Sequence, residues 1–103
     1  MRMLLQIEIP VEQGNATIKS GKLPQVIKSV LDELKPEAAY FTEICGKRTG
    51  FIIVDIKDAS EISKVAEPWF LAFNAAVKLH PVMTFEDLAK AGPSIEAAVK
   101  KYA

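Results

Sequence analysis

At 103 residues, half of them hydrophobic and a quarter charged, the chain suits a single globular domain spanning residues 1–103. Thirteen basic side chains balance thirteen acidic ones, which argues against nucleic acid or an anionic membrane as partner, because phosphate binding needs a surplus of Lys and Arg on one face. One cysteine, Cys45, rules out an internal disulfide, and with one histidine, His80, it argues against a dedicated metal site; no apolar run is long enough for a signal peptide or a span, so a reducing cytoplasm is expected.

Met3 to Ile9 reads as the first strand, with Met3, Leu5, Ile7 and Ile9 on one face and Leu4, Gln6 and Glu8 on the other, and Pro10 closes it. Val11 to Lys22 is ambiguous: Gly14, Asn15 and Gly21 weaken a helix, yet the stretch has room for two or so turns. Leu23 to Leu34 is a clear helix with an apolar stripe at Leu23, Ile27, Val30, Leu31 and Leu34, ended by Lys35-Pro36.

Ala38 to Cys45 and Phe51 to Ile56 read as a hairpin whose loop is Gly46-Lys47-Arg48-Thr49-Gly50. The run Phe51-Ile52-Ile53-Val54 has no polar alternation, so a strand here points bulky apolar groups to both faces of its sheet. Helices can cover one face of so short a chain, and a second copy of the same sheet can cover the other. A homodimer is therefore expected.

Asp58 to Glu61 offers N-cap chemistry for a second long helix with an apolar stripe at Ile62, Val65, Ala66, Trp69, Phe70 and Phe73; Pro68 predicts a kink or restart near Glu67. Ala75 to Met83 is a last strand, at an edge because of Pro81. Thr84-Phe85-Glu86-Asp87 resembles a capping box that starts a short helix to Ala91, and Pro93 begins a last helical turn or two through Tyr102.

The order is the α+β, ferredoxin-like βαββαβ pattern: a four-stranded antiparallel sheet carrying two helices, with a C-terminal helical tail. This layout, the strands apolar on both faces, and the exit Pro81-Val82-Met83-Thr84 into a capped helix together resemble the dimeric α/β-barrel superfamily. That superfamily includes muconolactone isomerases, antibiotic-biosynthesis-type monooxygenases and small uncharacterised bacterial proteins. The resemblance implies two sheets packed face to face around a cavity sized for a small ligand.

His80, the one group that titrates near neutrality, is the first candidate for proton transfer, with Glu43 as its orienting partner or as a base. Tyr40, Glu8 and Trp69 are candidate ligand contacts, Gln6 adds a polar group on the first strand, and Arg48 in the hairpin turn is placed to draw an anionic substrate to the barrel mouth. Each also has a plain structural reading: a hydrogen-bonded His at a strand end, a solvated Arg, a core Trp. Cys45 reads as a small buried hydrophobe. No glycine-rich nucleotide loop, nucleophile elbow or zinc-helix motif occurs, so no cofactor is expected; haem ligation by His80 is a weaker alternative. Two functions stand against each other. One is binding, by a cofactor-independent isomerase or monooxygenase or by a simple binding protein, of a small hydrophobic or keto-acid ligand; the other is dimerisation with no ligand.

Overall fold

Alternation along the first strand decides the two sides of the molecule. In the computed structural model, which describes residues 1–103, β1 (Arg2–Glu8) turns Met3, Leu5 and Ile7 into the core and Leu4, Gln6 and Glu8 to the other side. The chain continues through α1 (Val11–Lys19), α2 (Lys22–Leu34), β2 (Ala38–Ile44), β3 (Lys47–Asp55), a 3-10 turn (Ala59–Glu61), α3 (Ile62–Phe73), β4 (Ala76–Pro81), α4 (Phe85–Lys90) and α5 (Gly92–Tyr102). All strand pairings are antiparallel and the sheet order is β2-β3-β1-β4, which is the split βαβ arrangement with one helix added before α2 and two after β4. Within one chain this sheet is open, with β2 and β4 as its edges.

The helices cover one face only. Leu5 and Ile52, paired at the centre of the sheet, are fully buried, and Val30 of α2 with Val65, Trp69 and Phe73 of α3 complete the core above them. Trp69 and Phe73 stack with ring centroids 6.1 Å apart. The Trp69 indole N–H is buried with no hydrogen-bond partner. No helix is long and apolar enough to cross a membrane.

Several expectations need correction. The hairpin loop is not residues 46–50 but a two-residue turn, Cys45 and Gly46, both with positive φ (53° and 77°), so Ile44 pairs directly with Lys47. Two consecutive left-handed residues give the turn whose twist matches that of the strands, and Lys47 to Gly50 are then drawn into the ladder. Cys45 is consequently exposed at the turn rather than buried. Phe70 is 38% exposed and does not belong to the core stripe, because the stripe of α3 is centred on Trp69 and Phe73. The same helix passes through Pro68 without restarting; burial of its apolar face holds it despite the lost N–H.

Val11–Lys19 is helical in spite of Gly14, and here glycine has a packing reason. A Cβ at that position would lie 2.7 Å from Arg48 Nη1 and 3.4 Å from Ile9 Cγ2, so the missing side chain lets Arg48 of β3 lie against α1. The final strand is shorter than expected, ending at Pro81, although Val82 N–H still donates to Arg2 O.

The expected capping box at Thr84 is present: Asp87 N–H donates to Thr84 Oγ1 (3.1 Å), and Thr84 N–H donates to Asp87 Oδ2 (3.0 Å). A second box joins Asp58 and Glu61 ahead of α3. The backbone N–H of Thr84, then its hydroxyl, hold the Asp87 carboxyl below the usual carboxylate range, and the Ser60 N–H does the same for Asp58. A carboxyl whose folded pKa is depressed stabilises the fold above its unfolded value of about 3.9, and the contribution fades as pH falls through the lower folded value. Carbon-13 titration of the side-chain carboxyls should therefore place Asp87 and Asp58 below a free aspartate. A Thr84→Pro variant, which lacks both the backbone N–H and the hydroxyl at a φ of −77° that proline can adopt, should raise the Asp87 midpoint; one that left it in place would show that the cap does not cause the shift.

Candidate functional site

Strand register lays out the uncovered face row by row. Across it run Ala38–Ile53–Leu4–His80, then Tyr40–Phe51–Gln6–Lys78, then Thr42–Thr49–Glu8–Ala76, each a set of directly paired residues on β2, β3, β1 and β4 in turn. By strand alternation these rows lie on the side away from the helices, although Thr49 is buried and, with Thr42, borders a hollow beside Leu23 and Ile27 of α2. The first two rows are apolar over β2, β3 and half of β1, while the β1–β4 side carries Gln6, Glu8, Lys78 and His80. The face thus has an apolar half and a polar half.

Glu8 is the most enclosed acid there. Its side chain is 17% exposed, no hydrogen bond reaches it, and its one charged neighbour is Lys78 Nζ at 3.6 Å, itself 58% exposed. An ion pair so open on the lysine side contributes little to stability. Beside Glu8 lies Thr49, the buried polar residue of the sheet, whose hydroxyl donates to Lys47 O at 3.0 Å.

His80 and Tyr40 share this face, but on opposite edge strands, separated by three interstrand spacings of about 4.8 Å, or roughly 14 Å. Both are exposed in the single chain. His80 and Glu43 are not brought together: Glu43 pairs with Arg48 on the helix side of β2, and its Oε2 accepts from Gly46 N–H (3.0 Å) inside the turn. The two-residue hairpin is the cause, since it fixes the parity that turns Glu43 away from the uncovered face. Arg48 lies on that same helix side, against Gly14, and lines a hollow of about 320 Å³ with Leu23, Ile27, Phe41, Thr42 and Thr49. Trp69 belongs to the core and reaches neither surface.

Two other hollows lie at the far end of the sheet. One, of about 300 Å³, is lined by Met3, Ile56, Ile62 and Pro81 among others; the second, of about 270 Å³ and polar, gathers Arg2, Glu37, Asp55 and Asp87. Asp87 in the second hollow places α4 at the Arg2 end of the sheet, the end at which His80 pairs with Leu4. No three His, Cys, Asp or Glu side chains gather as metal ligands.

Lys78 escaped the sequence reading. Its signal was there: Ala76, Lys78 and His80 alternate along β4, so a face that presents His80 must also present Lys78.

An open four-stranded antiparallel sheet, backed by helices on one side and bearing a mixed apolar and polar face on the other, defines a small α+β module that shows its sheet to solvent. Residues 12–95 match the family described as a domain of unknown function, DUF3303, and the chain belongs to that family. No curated protein matches the sequence. Among solved structures, a formyltetrahydrofolate deformylase from Pseudomonas putida is similar over 80% of this chain and 29% of its own length, at 17% identity and a TM-score of 0.48. This chain therefore spans less than a third of that enzyme, and a likeness of that strength carries no argument about fold or activity.

Proposed function

We propose that the chain is a homodimeric binding module: two copies turn their uncovered sheet faces together, as in a dimeric α/β barrel, around a small compound with an apolar body and a polar or carboxylate head. Ile53, Leu4, Phe51 and Tyr40 take the body. Gln6, Glu8, Lys78 and His80 take the head, with Lys78 rather than Arg48 as the cation for a keto acid, because Arg48 lies on the other side of the sheet. The observation that carries this reading is Glu8, a carboxylate only 17% exposed on a face that the chain itself leaves uncovered, with no hydrogen bond from the protein and only Lys78 nearby as a charge. Such a group wants a donor, and a ligand can supply one.

Isomerase or monooxygenase chemistry would need His80 as the proton-transfer group. His80 stands four residues along β4 from Ala76, the partner of Glu8, or roughly 13 Å away, so one chain supplies no acid–base pair. Binding is therefore the function the geometry supports. The competing reading, dimerisation with no ligand, is favoured by one fact: none of the three hollows includes His80, Tyr40 or Glu8.

Thermal shift with phenyllactate and with phenylpyruvate, whose hydroxyl and enol hydroxyl can donate to Glu8 while the carboxylate meets Lys78, separates the two. Saturating binding at a hundred times Kd adds about 2.7 kcal/mol, worth roughly 10 °C or more in a domain of this size, and the shift should vanish in Lys78→Met and shrink in Glu8→Gln. A flat response of the parent, or a shift that both variants retain, would leave dimerisation alone.

A further inference from the structure

The last two helices stand off from the body. The molecule measures 58 × 28 × 21 Å and its radius of gyration is 17.1 Å, against about 13 Å for a compact chain of this length. Every residue from Pro93 to Ala103 is exposed, and α5 contributes nothing to the core. Ala91 caps both helices: its N–H makes the last bond of α4, to Asp87 O (3.2 Å), and its carbonyl accepts the first bond of α5, from Ile95 N–H (3.1 Å). α4 and α5 thus form an arm of two helices joined at Ala91, roughly 9 Å and 17 Å long at about 1.5 Å per residue.

One side of the arm is apolar at the spacing of a packing seam. Phe85, Leu88, Gly92, Ile95, Val99 and Tyr102 follow one another at intervals of three and four residues, the a/d pattern by which a helix buries one stripe. Here the stripe is bare: Phe85 is 80% exposed, Tyr102 79%, and Leu88, Ile95 and Val99 about half. Glu86, Asp87, Lys90, Glu96, Lys100 and Lys101 occupy the remaining sides.

We propose that this arm is a clasp for a second copy of the chain, its seam closing over the partner and completing the enclosure of the uncovered sheet face. The proposal rests on the homodimer described above and adds which segment holds it. Three features select a second copy as the occupant. First, the arm leaves the body on the side of the uncovered face: Asp87 shares the polar hollow with Arg2, which falls on that face by strand alternation. Second, the chain carries two apolar surfaces that it does not itself cover fully, the exposed seam and the half-buried rows around Ile53, and a twofold pair can cover both. Third, the side chains of one seam expose roughly 500 Å² of apolar surface, so two arms and the surfaces they cover exceed the ~1,200 Å² at which stable interfaces begin.

The experiment uses the full chain carrying Ile95→Asp and Val99→Asp, both at exposed positions where the body cannot be harmed. Sedimentation equilibrium should show a dimer for the parent and a rise of about a hundredfold or more in the dimer dissociation constant for the double variant. If the double variant dimerises like the parent while Ile53→Asp dissociates, the clasp is wrong and the face-to-face dimer stands. If the double variant dissociates while Ile53→Asp does not, the clasp stands and the face-to-face reading falls. A nitroxide on Tyr102→Cys in a Cys45→Ser background, mixed with an isotope-labelled unmodified copy, should broaden amides of the labelled copy's sheet. A labelled copy that stays sharp, or a parent that sediments as a monomer, would overturn the proposal.

Discussion

Phe73→Ala is expected to lower the free energy of unfolding by about 3–5 kcal/mol, whereas Phe70→Ala should cost about 1 kcal/mol or less. The two phenylalanines are neighbours in sequence on α3, but Phe73 is fully buried and stacked on Trp69, while Phe70 is 38% exposed. Removing the Phe73 ring opens a cavity in a close-packed core, and Trp69 also loses the ring it stacks on. A domain of this size holds about 5–15 kcal/mol in all, so the loss should move the urea midpoint far enough to leave part of the chain unfolded at room temperature. Equal midpoints for the two variants would mean that the buried face of α3 is misassigned.

Ile53→Asp is expected to convert the proposed dimer to a folded monomer, with a dissociation constant raised by about a hundredfold or more, while Ile52→Asp should unfold the chain. Adjacent residues of β3 point to opposite sides: Ile52 is fully buried beneath the helices, and Ile53 sits between Leu4 and Ala38 in the middle of the uncovered face. A carboxylate at Ile53 stays in water in the monomer and is penalised only when a second copy covers it, whereas at Ile52 the folded chain offers no water at all. Sedimentation and circular dichroism on the same pair of samples read both outcomes. A dimeric Ile53→Asp would remove the sheet face from the interface.

The same pair of residues shows how much of the fold was legible. Four apolar residues in a row, Phe51 to Val54, cannot be satisfied by a sheet with one wet face, and the structure indeed buries Ile52 and Val54 under helices while leaving Phe51 and Ile53 half-buried on the other side. The alternation of β1, the edge position announced by Pro81 and the Thr84 capping box were equally readable, because each depends on residues close in sequence.

The candidate site was harder to read, for a physical reason. Glu8 and His80 on the uncovered face follow from strand alternation alone, but Glu43 depended on the hairpin, and a turn of two residues instead of five moved it to the helix side with Arg48. Gly46 and Gly50 both permit turn geometry, and the choice between them is made by pairing along the whole of β3.

By itself, then, the amino-acid sequence determined the four strands, the two long helices and their order, and a central strand apolar on both faces, since these rest on local periodicity and on the cost of exposing hydrocarbon; α1 stayed ambiguous and α5 is longer than the turn or two expected. Only the tertiary structure decided which of Trp69, Phe70 and Phe73 are core, that the Arg48 side chain lies against Gly14, that His80 and Glu43 lie on opposite edges and sides of the sheet, and that residues 85–102 stand clear of the body. Each of those facts depends on which parts of the chain meet across long separations, and a helix stripe or a strand parity acquires its meaning only when the surface opposite it is known.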